Sequence, residues 1–283
     1  MKTKLDHLPK EKQDLINSLT KVIVEKTNPE KVILYGSHAT GKWVEDEYME
    51  DGRQYDYKSD YDFLVITKSG ERLSDAEVQE IVERRSGLND HISAISHDIE
   101  YVNGKLSDGQ YFFADIQKEG ILLYDAGNTA LAEKRELSPI EKKTMALQDF
   151  NNWFPRAQSF LKHARISLVD KDFNLSDFFL HQAAENTYNT VILVFRGYKP
   201  KTHNLEKLRR YAKHFSKELT LVFPMSDKDE KDLFALLRKG YVEARYDKKF
   251  VITEKEVKLL VERLEKMQAI TEKICMEKIS SFD

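Results

Sequence analysis

The first 125 residues alternate between amphipathic segments and short apolar runs. Apolar positions at helical spacing, together with a capping box at Ser74–Glu77, predict helices over 8–27, from Ser37, from Ser74 and over 106–119. Aliphatic runs predict strands over 31–35, 62–67, 91–102 and 121–124. This alternation indicates an α+β (α/β) domain with a small mixed sheet, and we place that domain at 1–127.

After residues 125–128 the strand pattern almost disappears. Ser138-Pro139-Ile140-Glu141 combines a cap, a proline in the first turn and an acid at the third position, which together start a helix. Helical spacing predicts five helices, over 138–170, 175–196, 203–217, 226–243 and 253–279. The second domain, 135–283, is therefore predicted to be an all-α bundle.

Composition narrows the class of protein. Hydrophobic residues make up 41% of the 283 residues and charged residues 33%, which is typical of a globular chain. The single cysteine, Cys275, excludes an internal disulfide and favours a reducing, cytoplasmic setting. The N-terminal residues lack a signal-peptide core, and the purest apolar run, Val191–Phe195, is too short to span a bilayer. We expect a cytoplasmic protein without a membrane partner.

Charge divides unevenly between the two parts. Residues 1–128 contain 16 Lys/Arg and 25 Asp/Glu, whereas the remainder contains 29 and 23. Opposite net charges favour association of the two parts, or of two copies of the chain. The charge division is therefore one reason to expect a homodimer.

Two motifs in the first domain suggest phosphoryl chemistry. Gly36-Ser37 follows the first predicted strand, where glycine permits a sharp turn and the N–H groups of a new helix can hold a triphosphate. Asp60 and Asp62 precede the next strand and, two residues apart, share one face of an extended chain. Each motif alone is common in ordinary turns. Their order, strand, Gly-Ser, helix and then Asp-x-Asp before a strand, favours a functional site.

Paired carboxylates indicate a cation. Two such charges about 5 Å apart repel by roughly 3 kcal/mol at an effective dielectric constant near 20. Hard carboxylate oxygens suit Mg²⁺, which binds one or two of them together with the phosphates of a substrate. Asp60 and Asp62 are therefore candidate Mg²⁺ ligands.

Gly36-Ser37 with Asp60-x-Asp62 resembles the signature of the polymerase-β-like nucleotidyltransferases, in the small form called MNT. The resemblance implies Mg²⁺-dependent transfer of a nucleoside monophosphate from a nucleoside triphosphate, and a third carboxylate on a later strand. Asp98 and Glu100 are both candidates for this third carboxylate. Asp98 is preferred for its place at the start of the strand and for its similarity to the acid-plus-aliphatic pattern of the family. The insertion 42–58 is either a substrate-gripping hairpin or lid, or a solvated loop, and the acceptor stays open.

Three blocks of the second domain, 179–185, 196–205 and 241–246, resemble a HEPN domain. HEPN domains occur fused to MNT domains, and the resemblance implies binding of a nucleotide or RNA. Arg196 and His203 are separated by six residues, which matches the edge of the Arg…His pattern of HEPN ribonucleases. The alternative is structural, with Arg196 complementing a helix end and His203 lying beside a cap. His181 and Glu185, one turn apart, favour a local pair.

The segment Lys199–Lys217 contains seven Lys/Arg and one acid, which suits polyphosphate or RNA or, equally, a solvated helix face. Three hypotheses follow. The first is an enzyme that uses Asp60, Asp62 and Asp98. The second is a non-catalytic nucleotide- or RNA-binding regulator, which a missing third acid would favour. The third is a fused toxin–antitoxin-like module with a HEPN ribonuclease.

Overall fold

The structure is a computed structural model that describes residues 1–43, 45–50, 53–71, 73–86 and 92–282. It divides into two compact units, the first ending at Leu137 and the second starting at Ser138. Within the described ranges, no helix combines the length and the apolar character that crossing a bilayer requires.

The N-terminal unit contains five helices and six strands in its described part. The helices are α1 (Lys10–Thr27), α2 (Gly36–Thr40), α3 (Asp75–Ser86), α4 (Ile99–Ser107) and α5 (Tyr111–Glu119). The strands are β1 (Lys31–Tyr35), β2 (Glu45–Glu50), β3 (Arg53–Lys58), β4 (Tyr61–Thr67), β5 (Ile92–Asp98) and β6 (Ile121–Asp125).

The predicted mixed sheet is confirmed. Its strand order is β5-β4-β1-β6, with β1 antiparallel to both neighbours and β4 parallel to β5. Every residue of β1 and β4 is buried, which explains why these central strands have continuous apolar sequences. Val32, Leu34 and Phe63 pack in one core cluster with residues of α1 and α3. Because side chains alternate along a strand, Ile33 and Leu64 lie on the opposite face, and α4 and α5 contact that sheet.

Two expectations for this unit were wrong in detail. The strand predicted over 91–102 ends at Asp98, because the Asp98 carboxylate accepts a hydrogen bond from the Tyr101 backbone N–H (2.9 Å) and starts α4. The predicted start of that strand, His91, lies outside the described residues. The helix predicted over 106–119 is interrupted after Ser107, where Gly109 has a φ of 74° and Gln110 caps α5.

The insertion 42–58 contains β2 and β3, which form a separate two-stranded sheet. This is the hairpin-like alternative for the insertion rather than an irregular loop. Val44, Asp51 and Gly52 are outside the described residues, and the part played by the insertion in substrate binding stays a prediction.

The second unit is helical over its described residues, as predicted. Its helices are α6 (Pro139–Val169), α7 (Phe173–Arg196), α8 (Leu205–Ala212), α9 (Lys217–Thr220), α10 (Lys228–Lys239), α11 (Glu243–Tyr246) and α12 (Glu254–Ser280). The helix predicted over 203–217 is shorter and is followed by a new cap at Ser216, and the helix predicted over 226–243 likewise ends at Lys239. Helix α7 is the central element and packs against α6, α8, α10 and α12.

Two glycines give a paired stability prediction. A Cβ on Gly240 would lie 2.7 Å from the Asp177 carbonyl oxygen and 2.8 Å from its Oδ2, whereas a Cβ on Gly104 in α4 would meet nothing within 4 Å. Gly240→Ala should therefore lower the free energy of unfolding by about 1–3 kcal/mol through overpacking. Gly104→Ala should raise it by about 0.5–1 kcal/mol through lower backbone entropy of the unfolded chain. Urea unfolding checks both, and a neutral Gly240→Ala would contradict the close packing.

Candidate active site and helical cleft

The Gly-Ser turn and the second aspartate touch each other. Tyr35, the last residue of β1, pairs with Asp62 near the start of β4. Gly36 follows with a φ of 75°, and a Cβ there would lie 2.3 Å from Asp62 Oδ2. Asp62 is only 6% exposed, so its carboxylate occupies the space that the missing side chain leaves. The motif therefore requires glycine for two reasons: the left-handed backbone conformation and the volume of the carboxylate.

Asp60 is attached to the same turn through His38. The Nδ1–H of His38 donates to the Asp60 carbonyl oxygen (3.0 Å), and the ring stacks on Tyr61 with centroids 4.1 Å apart. The His38 carbonyl in turn accepts a hydrogen bond from His7 Nε2 (2.8 Å). Both Asp60 and His38 are buried. His38 thus fixes the backbone of the first aspartate relative to α2.

A cation and an indole lie beside this cluster. The Lys12 ammonium is 4.4 Å from the Trp43 ring centroid and donates to the Tyr61 hydroxyl (3.4 Å). Sequence patterns did not identify Lys12 or Trp43, because only folding brings α1 next to β4. The local sequence signal for this cluster was His38, which directly follows Gly36-Ser37.

The helix predicted from Ser37 has five residues. A single turn carries little macrodipole, so anion attraction here depends on the few N–H groups that such a turn leaves without intrahelical partners. The triphosphate seat at Gly36 and Ser37 stays a prediction.

Asp98 does not join Asp60 and Asp62. In the parallel pairing of β4 and β5, Asp62 is opposite Ser93, whereas Asp98 is opposite Thr67. Five residues of strand separate these two levels, which corresponds to about 16 Å.

Glu100 does not join them either. It is exposed on α4, where its carboxylate accepts a hydrogen bond from the Ser69 hydroxyl. The structure therefore corrects the predicted third carboxylate in both of its alternatives, and the neighbour of Asp62 on β5 is the buried hydroxyl residue Ser93.

Asp60 and Asp62 still fit a magnesium ion. Across the described part of the chain, no group of three or more His, Cys, Asp or Glu residues is arranged to hold a metal. Mg²⁺ needs only one or two protein carboxylates when substrate phosphates complete its coordination. The donor set of two buried aspartates beside a turn that lacks a Cβ matches that requirement, and these two residues would hold the ion.

In the helical unit, Arg196 and His203 lie apart. The Arg196 guanidinium is over the Phe215 ring, 5.4 Å from its centroid. His203 Nδ1 instead contacts both carboxylate oxygens of Glu185, at 3.0 and 3.1 Å. Glu185 precedes Arg196 by eleven residues in α7, or about 16 Å along the helix. The contacts of Arg196 and His203 are thus with different residues, and a shared Arg196–His203 site stays a prediction.

His203 belongs to a different cluster, at a cleft of about 470 Å³. The rings of His203 and His181 both stack on Tyr241, with centroid distances of 5.0 and 5.2 Å. His181 Nδ1–H donates to the Leu237 carbonyl (3.0 Å), and its Nε2 is 3.8 Å from Glu185 Oε2. Burial, more than any other cause, lowers the pKa of His181 to about 4, so it is neutral at pH 7. The expected His181–Glu185 neighbourhood exists as a local contact.

With this geometry described, comparison with known families identifies both units. A model described as polymerase beta, nucleotidyltransferase matches residues 17–129, and a HEPN domain model matches residues 150–274. The chain is a polymerase beta nucleotidyltransferase domain followed by a HEPN domain. Among curated proteins, none matches the chain significantly. The recognition made from the two sets of motifs is confirmed, and a nucleotidyltransferase domain indicates transferase chemistry.

The basic segment of the HEPN domain differs from a uniformly exposed stripe. The Lys199 ammonium lies over the Trp153 ring, 4.8 Å from its centroid. Arg209 is half-buried, and its Nε–H donates to the Phe223 carbonyl (3.1 Å). Burial lowers the pKa of both side chains. Two cations of the segment, Lys199 and Arg209, are therefore part of the packing of the bundle.

A matched pair of glycines tests the contact between Gly36 and Asp62. Gly36 and Gly70 have nearly equal φ angles, 75° and 74°, but a Cβ on Gly70 would meet nothing within 4 Å. Alanine at either position should cost about 1–2 kcal/mol of stability through backbone strain. Only Gly36→Ala should also displace the Asp62 carboxylate and weaken Mg²⁺-dependent nucleotide binding at least tenfold, measured by calorimetry. Equal binding by the two variants would show that the contact has no role in the site.

Proposed function

We propose that the chain transfers a nucleoside monophosphate from a nucleoside triphosphate to a hydroxyl or phosphate acceptor, with release of pyrophosphate. The observation that carries this proposal is the contact of the Asp62 carboxylate with Gly36, which joins the acidic motif to the turn. The β1–β4 pairing places Tyr35 opposite Asp62, and a Cβ on Gly36 would lie 2.3 Å from Asp62 Oδ2, which supports a site where this carboxylate and the turn act on one ligand. The nature of the acceptor is left open.

Within the proposed site, each side chain has a distinct part. Asp60 and Asp62 would hold Mg²⁺, which when bound offsets negative charge on the phosphates. Gly36 and Ser37 would receive the triphosphate through their backbone N–H groups. His38 acts on Asp60 indirectly: its Nδ1–H holds the Asp60 carbonyl, so the aspartate has a fixed backbone when a ligand arrives.

Aspartate variants test the proposal. Asp60→Asn and Asp62→Asn remove one negative charge each at nearly constant volume, and should lower Mg²⁺-dependent nucleotide transfer at least 100-fold while thermal stability stays close to wild type. Label transfer from each radiolabelled nucleoside triphosphate, in the presence of a cell extract, measures the activity.

Asp98→Asn is the matched control. Asparagine caps helices as well as aspartate does, so α4 is preserved. Nucleotide transfer should be unchanged, because Asp98 on β5 lies opposite Thr67, at the end of β4 that is far from Asp62. Loss of transfer in Asp98→Asn with retention in Asp62→Asn would overturn the assignment.

A second candidate function is a regulator whose nucleotidyltransferase domain binds a nucleotide as a sensor and does not catalyse nucleotide transfer. The observation that favours it is Ser93, which provides a hydroxyl instead of a carboxylate beside Asp62. Among the described residues of β5, the one carboxylate, Asp98, lies opposite Thr67 at the far end of the strand pair, so it is not placed beside Asp62 to accept the proton of an acceptor.

Ser93→Asp separates the two candidates. If the chain is a regulator, wild type binds the triphosphate with Mg²⁺ and forms no product, and Ser93→Asp introduces transfer. Ser93→Ala, the control, should introduce none, because it adds no carboxylate. Product formed by wild type at a rate that Ser93→Asp does not increase would exclude the regulator.

Two expectations from the sequence remain proposals for the HEPN domain. One is a nucleotide or RNA ligand. Lys199 and Arg209 take part in the packing of the bundle, which leaves fewer cations of the segment for the phosphates of an extended RNA and supports a compact ligand. The other is a homodimer, supported by the opposite net charges of the two domains, which light scattering of the full chain would test.

A further inference from the structure

Strand β5 lies at an edge of the described sheet, where only β4 pairs with it. Its other side is covered by side chains of α3. Gln79 Nε2–H donates to the Ile92 carbonyl (2.6 Å), and Gln79 Oε1 accepts from the Ala94 N–H (2.8 Å). Further along, Asp75 Oδ1 accepts from the Ser96 N–H (2.8 Å). The backbone groups of an edge strand are open to water or to another strand, so α3 takes the place of a neighbouring strand here.

The amide of Gln79 is fully used. Gln79 is 4% exposed, and besides its two contacts with β5 its Nε2–H donates to Glu83 Oε1 (2.6 Å). A side-chain amide has two N–H donors and one carbonyl oxygen, so both donors and the oxygen have partners. Because it offers a donor to one peptide group and an acceptor to the next, it forms the pair of hydrogen bonds that a strand would form. A buried amide with all its hydrogen bonds satisfied is held in one orientation.

The two bonds from Gln79 to β5 lie on either side of Ser93. Ile92 and Ala94 are the chain neighbours of Ser93, and Ser93 is opposite Asp62 in the parallel pairing of β4 and β5. Residues opposite each other in paired strands have side chains on the same face, so Ser93 and Asp62 share a face of the sheet. Both are 6% exposed. The position of β5 at this level therefore sets the space beside the Asp62 carboxylate.

The second cap of the same edge lies at a different level. Asp75 bonds to Ser96, which is opposite Val65, three residues along the strands from the pair of Ser93 and Asp62. Three residues of strand correspond to about 10 Å. Asp75 and Gln79 thus cap one edge from one helix, but only Gln79 acts at the level of the candidate active site.

We propose that Gln79 is a positioning residue of the candidate active site: its amide holds β5 on both sides of Ser93 and so fixes the wall beside the Asp62 carboxylate. The inference rests on the proposed function, since the wall matters only where Asp62 serves a magnesium-bound triphosphate. Gln79 itself acts through the backbone of β5, from the edge that faces away from β4.

The first measurement needs no ligand and uses the full chain carrying Ser93→Cys. The rate at which the introduced thiol reacts with a maleimide reports how often the backbone around position 93 opens, and the parent chain, whose Cys275 is buried, gives the background. Adding Gln79→Glu should raise the rate by about tenfold, because a carboxylate cannot donate to the Ile92 carbonyl. Adding Asp75→Ala, the matched control, should raise it by less than about threefold, because the lost bond is at another level.

The second measurement is calorimetry of ATP, CTP, GTP and UTP, each with Mg²⁺, on chains that retain Ser93. Gln79→Glu should weaken triphosphate binding by about tenfold and Asp75→Ala by less than about threefold, although both variants lose thermal stability. The double variant Gln79→Glu, Glu83→Gln keeps the net charge of the pair but still lacks the donor to β5, so it should bind as weakly as Gln79→Glu. It also serves as the test where the added charge of Gln79→Glu prevents folding.

Two results would overturn the positioning role. They are equal effects of Gln79→Glu and Asp75→Ala on the reactivity of the thiol, and recovery of triphosphate binding in the double variant. Wild-type binding that Gln79→Glu leaves unchanged would keep the proposed function and remove Gln79 from the site. Absence of triphosphate binding in wild type, with a thiol response confined to Gln79→Glu, would overturn the proposed function and leave Gln79 as the residue that places Ser93.

Discussion

The candidate active site depends on one packing constraint, the approach of the Asp62 carboxylate to the backbone of Gly36. The antiparallel pairing of β1 and β4 brings the end of one strand to the start of the other, with Tyr35 opposite Asp62. Any side chain at position 36 would take the volume of the carboxylate. The acidic and glycine motifs, which are 26 positions apart in the sequence, are therefore a single structural unit. Burial of both strands makes their register hard to change, because a shift of one residue would turn core side chains toward the wrong face.

In the HEPN domain, helix α7 buries three ionisable side chains in one line. Asp177, His181 and Glu185 follow one another at four-residue spacing, so they form a polar line on a buried helix. Burial and the nearby Glu256 raise the pKa of Asp177, and burial lowers the pKa of His181, so both avoid charge. Glu185 meets His203, which reaches solvent. This line of polar residues therefore runs from uncharged side chains inside the bundle to Glu185 and its partner His203, which lines the cleft.

The prediction of Asp98 as a neighbour of Asp60 and Asp62 was wrong because of the direction of one strand. Asp98 is the last residue of β5, whereas Asp60 and Asp62 lie around the start of β4. The pattern of apolar residues does not predict whether two neighbouring strands run parallel or antiparallel. Because β5 is parallel to β4, the end of β5 lies beside the end of β4, far from its start. The six residues between Arg196 and His203 suggested a tight turn. The chain instead returns along α7, so that His203 meets a glutamate three turns before Arg196.

The sequence by itself determined most of the order of elements, the mixed sheet, the helical bundle and the two families, because these follow from local periodicity, caps and short motifs. It also singled out Gly36, Asp60 and Asp62 as candidates, since residues within one short motif stay together in any fold. Only the tertiary structure decided what lies beside them: Ser93 next to Asp62, His38 beneath Asp60, and Glu185 behind His203. Those contacts join residues from separate elements. Strand direction, register and the path of connecting segments, which fix them, are set by packing of the whole core rather than by any local pattern.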